Sequence, residues 1–193
     1  VLARLAPRFI AKYPEVTLEF VADDRTIDLF EDAFDVAIRV NPRADDRMVG
    51  RCIAQDEMLV VAAPSIELPK NRAGREPPSV PAISLTSSTS NAPWRFVKAR
   101  KERVIQPDIR LRLSSLLMVR DAAREGAGVA VLPVSMLTED LASGRLVDWG
   151  TLPDRRVEIW VLHSSRRLVS SKVSAFVSFL ADAFPERKFP ARI

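Results

Sequence analysis

Six consecutive side chains, Thr86-Ser87-Ser88-Thr89-Ser90-Asn91, carry hydroxyl or amide groups and no charge. Such a run offers donors and acceptors together, which suits a polar ligand, although a flexible serine-rich loop has the same composition. It follows the short apolar stretch Ala82 to Leu85, which reads as a strand. Arg39, Val40 and Asn41 follow a second apolar stretch, Val36-Ala37-Ile38. Polar residues at a strand's carboxyl end stand where open α/β sheets bind ligands. A sheet strand with a solvated end is the plain alternative. Ser114 and Ser115 precede a helical pattern, and either serine serves as its N-cap.

Other chemistries find less support. His163 is the single histidine, which makes an imidazole-based zinc site or a Ser-His-Asp triad unpromising. It follows an apolar strand and reads as a surface or core histidine. Cys52 is the single cysteine, so no internal disulfide framework forms, and the usage fits a reducing cytoplasm. Its plain role is that of a small buried apolar residue. The chain has 193 residues, 47% hydrophobic and 28% charged, an ordinary globular composition with ample core material. Its apolar runs, such as Leu59 to Ala63 and Val129 to Leu132, are too short to span a bilayer, and no signal-peptide pattern opens it. The net charge of +4 is modest. The densest basic cluster, Lys98, Arg100, Lys101 and Arg103, lies between two strand-like segments. It reads as a solvated hairpin tip, with no aromatic ladder for stacking nucleic acid.

The elements that must position these residues follow from periodicity. Leu2, Leu5, Ala6, Phe9, Ile10 and Tyr13 share one helical face, Arg4, Arg8 and Lys12 the other, and Pro14 ends the helix. Val16, Leu18 and Phe20 alternate with Thr17 and Glu19, which predicts a strand. Asp24 or Thr26 caps a helix through Ile27, Phe30 and Ala33, and Val36 to Ile38 is apolar on both faces, like a strand of a helix-covered parallel sheet. Strand, helix and strand in this space read as a right-handed crossover with parallel strands, which narrows the fold to α/β. Met48 to Ile53 and Met58 to Ala63 read as two strands parted by Gln55-Asp56-Glu57, and the proline-rich stretch from Pro64 to Pro81 as a long surface loop, or a short helix followed by one.

Trp94 to Lys98 and Arg103 to Gln106 form a hairpin, and Ile109, Leu111 and Leu113 alternate as a strand with one solvated face. The helix after Ser115 runs to Glu125 with Gly126 as its left-handed cap. Val129 to Leu132 is a buried strand stopped by Pro133, and Met136, Leu137 and Leu141 mark a helix closed by Gly144. Leu146 to Trp149 and Val157 to Leu162 are the last strands. A helix capped by Ser170 or Ser171 carries Val173, Phe176, Val177, Leu180 and Phe184 on one face and stops at Pro185.

The order of these pieces resembles the effector-binding domain of LysR-type transcriptional regulators. The matching pieces are Ala6-Pro7-Arg8-Phe9 with Tyr13-Pro14-Glu15-Val16 and Leu18-Glu19, and Asp28-Leu29 with Phe34 to Val40. Val60-Val61-Ala62-Ala63-Pro64, Glu125 to Pro133, Gly144-Arg145-Leu146-Val147 and the helix Lys172 to Leu180 complete the set. Each is weak alone, but chance matches would not keep their order over nearly the whole chain. No winged helix-turn-helix is seen, and the family's first strand is expected to lie outside this sequence, as a piece of a longer regulator.

The resemblance implies two Rossmann-like α/β lobes with mixed sheets and two interlobe crossovers, like type 2 periplasmic binding proteins. Residues 1–55 plus 165–193 would form the first lobe and 56–164 the second. It implies that a small co-inducer binds a cleft between them, lined by Arg25, Arg39, Val40, Asn41, Thr86, Ser87, Ser88, Ser114, Ser115, Pro133, Val134 and Ser135. Hydroxyls, helix amides and an arginine suit a small carboxylate or polar aromatic. Arg39 has a second reading, as a partner of Asp35 or Glu31. No cofactor, metal or membrane contact is expected. A cytoplasmic homodimer or homotetramer is, with promoter DNA bound only through the missing N-terminal domain. In the family's dimers the first helix, here Val1 to Lys12, meets a second-lobe helix, here Leu116 to Arg124. Two rivals stand beside this reading. A solute-binding protein serving a transporter would share the fold. An enzyme of this fold, related to prephenate dehydratase or porphobilinogen deaminase, lacks a nucleophile-base pair, a cofactor lysine motif or a metal cluster to support it.

Overall fold

The computed structural model describes residues 2–21, 34–42, 48–70, 76–164 and 170–187. The chain is α/β with mixed strand pairing and divides into two compact units, residues 1–56 with 157–193, and residues 57–156.

In the first unit, helix α1 (Leu2–Lys12) buries Leu5 and Phe9 on the stripe set by its apolar spacing. Phe9 meets Phe176 edge-on, with ring centroids 5.0 Å apart. Phe176 belongs to α4 (Ser171–Ala183), whose N-cap Ser170 accepts a hydrogen bond from the Val173 amide at 3.4 Å. Ile53, Ala54, Val161, Leu180 and Phe184 complete this core. Strand β1 (Ala37–Val40) pairs antiparallel with the end of a much later strand, Ala37 opposite Leu162 and Val40 opposite Ile159. Its residues are half-buried or exposed rather than buried on both faces, which corrects the expected parallel-sheet strand.

The strands that pass between the units are single and long. β2 (Met48–Ala62) continues through Gln55-Asp56-Glu57, where two strands were expected, and β7 (Val147–Ser164) replaces a second expected pair. The second boundary falls at 156/157 instead of 164/165 because Ile159 to Leu162 are bonded to β1.

In the second unit, β3 (Ser79–Leu85) pairs parallel with the far half of β5 (Lys101–Leu113), whose near half forms the expected hairpin with β4 (Trp94–Lys98). The two expected strands at 103–106 and 109–113 are thus one. β6 (Ala130–Pro133) pairs antiparallel with β2 and is bridged in parallel to β3 through Val129 and Ala82. Gly128 precedes this bridge because a Cβ there would lie 2.8 Å from the Pro81 carbonyl oxygen.

Successive side chains of β2 separate into two cores. Val60 and Ala62 join Phe96, Ile105 and Trp149, whereas Leu59 and Val61 join Ile83, Leu132 and two helices. Those helices are α2 (Leu116–Arg124) and the short α3 (Thr138–Ala142). Gly126, at φ 78°, follows α2 as the left-handed residue that its pattern predicts.

The alternating segment Val16 to Phe20 joins no sheet among the described residues. Val16 and Leu18 pack against the first core, but a strand is defined by ladder hydrogen bonds, and none is formed among the described residues. The helix expected through Ile27 to Ala33 lies outside the described residues, as does Arg25.

Candidate functional site

The polar candidates of the second unit meet because three neighbouring strands, β6, β3 and β5, run in the same direction. The last β3–β5 pair is Leu85 with Leu113, so Thr86 and Ser114 leave the ladder side by side. The Thr86 amide donates to the Leu113 carbonyl at 2.9 Å. Ser88 closes a tight turn by donating its amide to the Leu85 carbonyl at 3.1 Å. Thr86, Ser87 and Ser114 are exposed, whereas Ser88 and Ser115 are half-buried.

Two side chains on β5 hold this loop down. Arg112 donates from Nη1 to the Ser88 carbonyl, and Gln106 donates from Nε2 to the Asn91 carbonyl at 2.8 Å. The sequence signals neither anchor, since a loop carbonyl 24 residues away leaves no pattern in residue types. An isolated serine-rich segment reads as a free loop, but this one is pinned at two points.

Ser115 is the N-cap of α2 and accepts from the Leu117 amide at 3.2 Å, so its hydroxyl is already in use as an acceptor. On the third strand end Pro133 is buried, and Val134 and Ser135 are half-buried in a single 3₁₀ turn. The second unit therefore brings Thr86, Ser87, Ser88, Ser114 and Ser115 to one end of its parallel strands, with Pro133, Val134 and Ser135 at the carboxyl end of the neighbouring one. Hydroxyls beside a helix N-terminus favour a polar or anionic small molecule.

In the first unit Asn41 is engaged by its own sheet. Its amide donates to the Glu158 carbonyl at 2.9 Å, and its Oδ1 accepts from the Glu158 amide at 2.7 Å. With φ at 44° it takes the left-handed conformation that asparagine tolerates, turning the chain as β1 ends. Arg39 stands opposite Trp160 in the ladder, and Val40 is 61% exposed. Asp35, one of the partners considered for Arg39, is ion-paired with Lys172 at 2.9 Å.

Cys52 is buried, and burial first, then the nearby Glu158 carboxylate, pushes its thiol pKa up. That combination makes it a poor nucleophile. Among the described residues no group of three or more His, Cys, Asp or Glu is placed to hold a metal ion, and no helix is long and apolar enough to cross a membrane.

Residues 1–185 match the family model described as LysR substrate binding domain. The HTH-type transcriptional regulator PtxR of Pseudomonas aeruginosa is 28% identical over 193 residues, covering 97% of this chain and 61% of its own. The probable regulator LtrA of Klebsiella pneumoniae is 23% identical, covering 96% of this chain and 62% of its own. The chain thus spans less than two thirds of the length of these relatives. The regulatory domain of CrgA, a LysR-type regulator from Neisseria meningitidis, shares the fold with a TM-score of 0.77 at 23% identity, over 94% of this chain and 91% of that one. Full-length AphB, a virulence activator of Vibrio cholerae, matches with a TM-score of 0.69 at 23% identity, over 94% of this chain and 63% of its own.

Proposed function

Because the chain belongs to the LysR substrate-binding domain family, we propose that it is the effector-sensing part of a DNA-binding transcriptional regulator acting in the cytoplasm. The observation that carries a ligand site is the pinned hydroxyl loop Thr86-Ser87-Ser88 beside Ser114 and the capped start of α2. Its chemistry suits a small carboxylate or a polar aromatic. In the first unit Asn41 has a structural task that weakens its claim.

The ligand acts by binding two conformations of the regulator unequally, which typically couples sites by about 1–3 kcal/mol. The response is passed through oligomer geometry to a helix-turn-helix supplied by the rest of the regulator. Exposed Leu117 and Met118 on α2 are suited to a contact between copies. The relatives named above are regulators, and the alternative of a solute-binding protein draws no support from them.

Thermal-shift screening of the 193-residue chain against small carboxylates and hydroxylated aromatics identifies a working ligand. Thr86→Ala combined with Ser87→Ala is expected to weaken that compound roughly tenfold, the loss of two modest hydrogen bonds. The melting temperature without the compound should barely change, since both side chains are exposed. Unchanged affinity would remove this loop from the site.

A further inference from the structure

The β4–β5 hairpin carries cations that its own fold does not neutralise. Strand pairing sets Lys98 opposite Lys101 and Phe96 opposite Arg103, so Lys98, Lys101 and Arg103 share one face. Like charges directly opposite each other weaken a ladder. The turn between the strands is Ala99-Arg100, with φ values of 49° and 63°. Two-residue turns with both residues in the left-handed region are usually built from asparagine, aspartate and glycine, since other side chains are strained there. Here the apex is instead an alanine and an exposed arginine.

Several other cations of the second unit have carboxylate partners. Arg95 pairs with Glu102, Arg110 with Asp108, Arg120 with Asp121, and Arg124 and Arg145 with Asp140. Lys98 reaches Asp148 at 3.0 Å. Arg100, Lys101 and Arg103 make no ion pair among the described residues, and Arg103 Nε is buried with no hydrogen-bond partner there. The base of the hairpin is rigid, because Trp94, Phe96 and Ile105 lie in the core. The strained apex and the Lys98–Lys101 juxtaposition work against local stability, and the unmatched cations on a rigid stem favour an anionic partner.

We propose that this hairpin tip rests on the phosphate backbone of double-stranded DNA, as a sequence-independent contact beside the regulator's own DNA-reading element. The inference rests on the regulator reading above. No aromatic side chain shares the tip, so ammonium and guanidinium groups on phosphates, rather than stacking on bases, are the mode of contact.

The test uses the 193-residue chain and a short duplex of random sequence, followed by fluorescence anisotropy from about 50 to about 200 mM salt. Weak, salt-dependent binding is expected. Arg100→Glu with Lys101→Glu should lower the low-salt affinity roughly tenfold and flatten the log–log salt slope by about two. Arg100→Gly, which suits the left-handed apex and so protects the fold, should flatten it by about one. Lys70→Glu with Arg155→Glu makes the same charge change at exposed positions of the same unit and should leave most of the binding. No binding at low salt, or equal losses in the two double variants, overturns the proposal. Binding to polyglutamate but not to DNA also overturns it, in favour of an acidic protein surface. Thermal shifts with the carboxylate and aromatic panel on the same tip variants keep the two readings apart. A chain that ignores DNA but answers a panel compound loses only this inference.

Discussion

Asp140 has none of its surface exposed, and two arginines reach it. Arg124 donates from Nη2 to Oδ2 at 2.7 Å, and Arg145 from Nε to Oδ1 at 3.1 Å. Burial alone would raise the carboxyl pKa. The hydrogen bond from Arg124 and the charges of Arg124 and Arg145 outweigh it and hold the group below the usual carboxylate range. A folded pKa below the unfolded one means that the stabilisation is complete above the unfolded value, about 3.9, and fades as pH falls through the folded value. Asp140→Asn is therefore expected to cost about 2 kcal/mol at neutral pH, from weakening the charge-assisted hydrogen bonds of two part-exposed arginines to a buried carboxylate. Urea unfolding at several pH values should show the gap to the parent chain closing below about pH 4. A gap that stays constant into acid would exclude this account. The same geometry makes Arg124 unsuitable as a probe of contacts made by α2. Arg124→Glu would set a carboxylate against Asp140 and damage the fold itself. Nothing in residue types 16 positions apart announces this clamp.

At the scale of elements, the caps were legible because they are local. Ser115 before an apolar pattern and Gly126 after it do what their types suggest. Ser115→Ala is expected to lower stability by about 1 kcal/mol, and Ser115→Asp to restore most of it, as read by thermal unfolding. If aspartate fails to rescue, the hydroxyl is needed for something other than the cap. Strand ends were harder. Hydrophobic periodicity reports burial, whereas strand continuity is set by backbone hydrogen bonds that polar residues can also make. Hence β2 runs through Gln55-Asp56-Glu57 and β7 through Asp154-Arg155-Arg156 without interruption. The opposite error occurs at Val16 to Phe20, where alternation correctly marks half-burial but no ladder forms among the described residues. The hydroxyl loop was visible by composition, but its anchors Arg112 and Gln106 were not, because they lie on an element whose alternation shows only a solvated face.

At the scale of the molecule, family membership was legible from the order of several weak pieces, which reflects how many local signatures one architecture imposes together. The surface was less so. The helix α2 shows apolar residues around more than one face, and the structure separates them: Val119 and Ala123 are buried, while Leu117 and Met118 are 55% and 49% exposed. The exposed pair belongs to the proposed contact between copies. Leu117→Glu with Met118→Glu should raise the monomer fraction in sedimentation velocity while leaving the unfolding free energy from urea titration within the surface-mutation range of about 0.5 kcal/mol. A distribution of species identical to the parent's would count against α2 as an interface.

The passage of β2 and β7 between the units has a consequence for how the chain is made. The first core joins Leu5, Phe9, Ile53 and Ala54 to Val161, Phe176, Leu180 and Phe184. Those two groups leave the ribosome well apart in time, with the whole of residues 57–156 made between them. At about 5–20 residues per second that interval lasts roughly 5–20 s. Throughout it the nascent α1 lacks the later half of its core, Val161, Phe176, Leu180 and Phe184, while the second unit acquires every residue of its own cores. Translation therefore finishes the inserted unit before the one that begins the chain, and the first helix emerges as a client for whatever shields hydrophobic segments until α4 arrives.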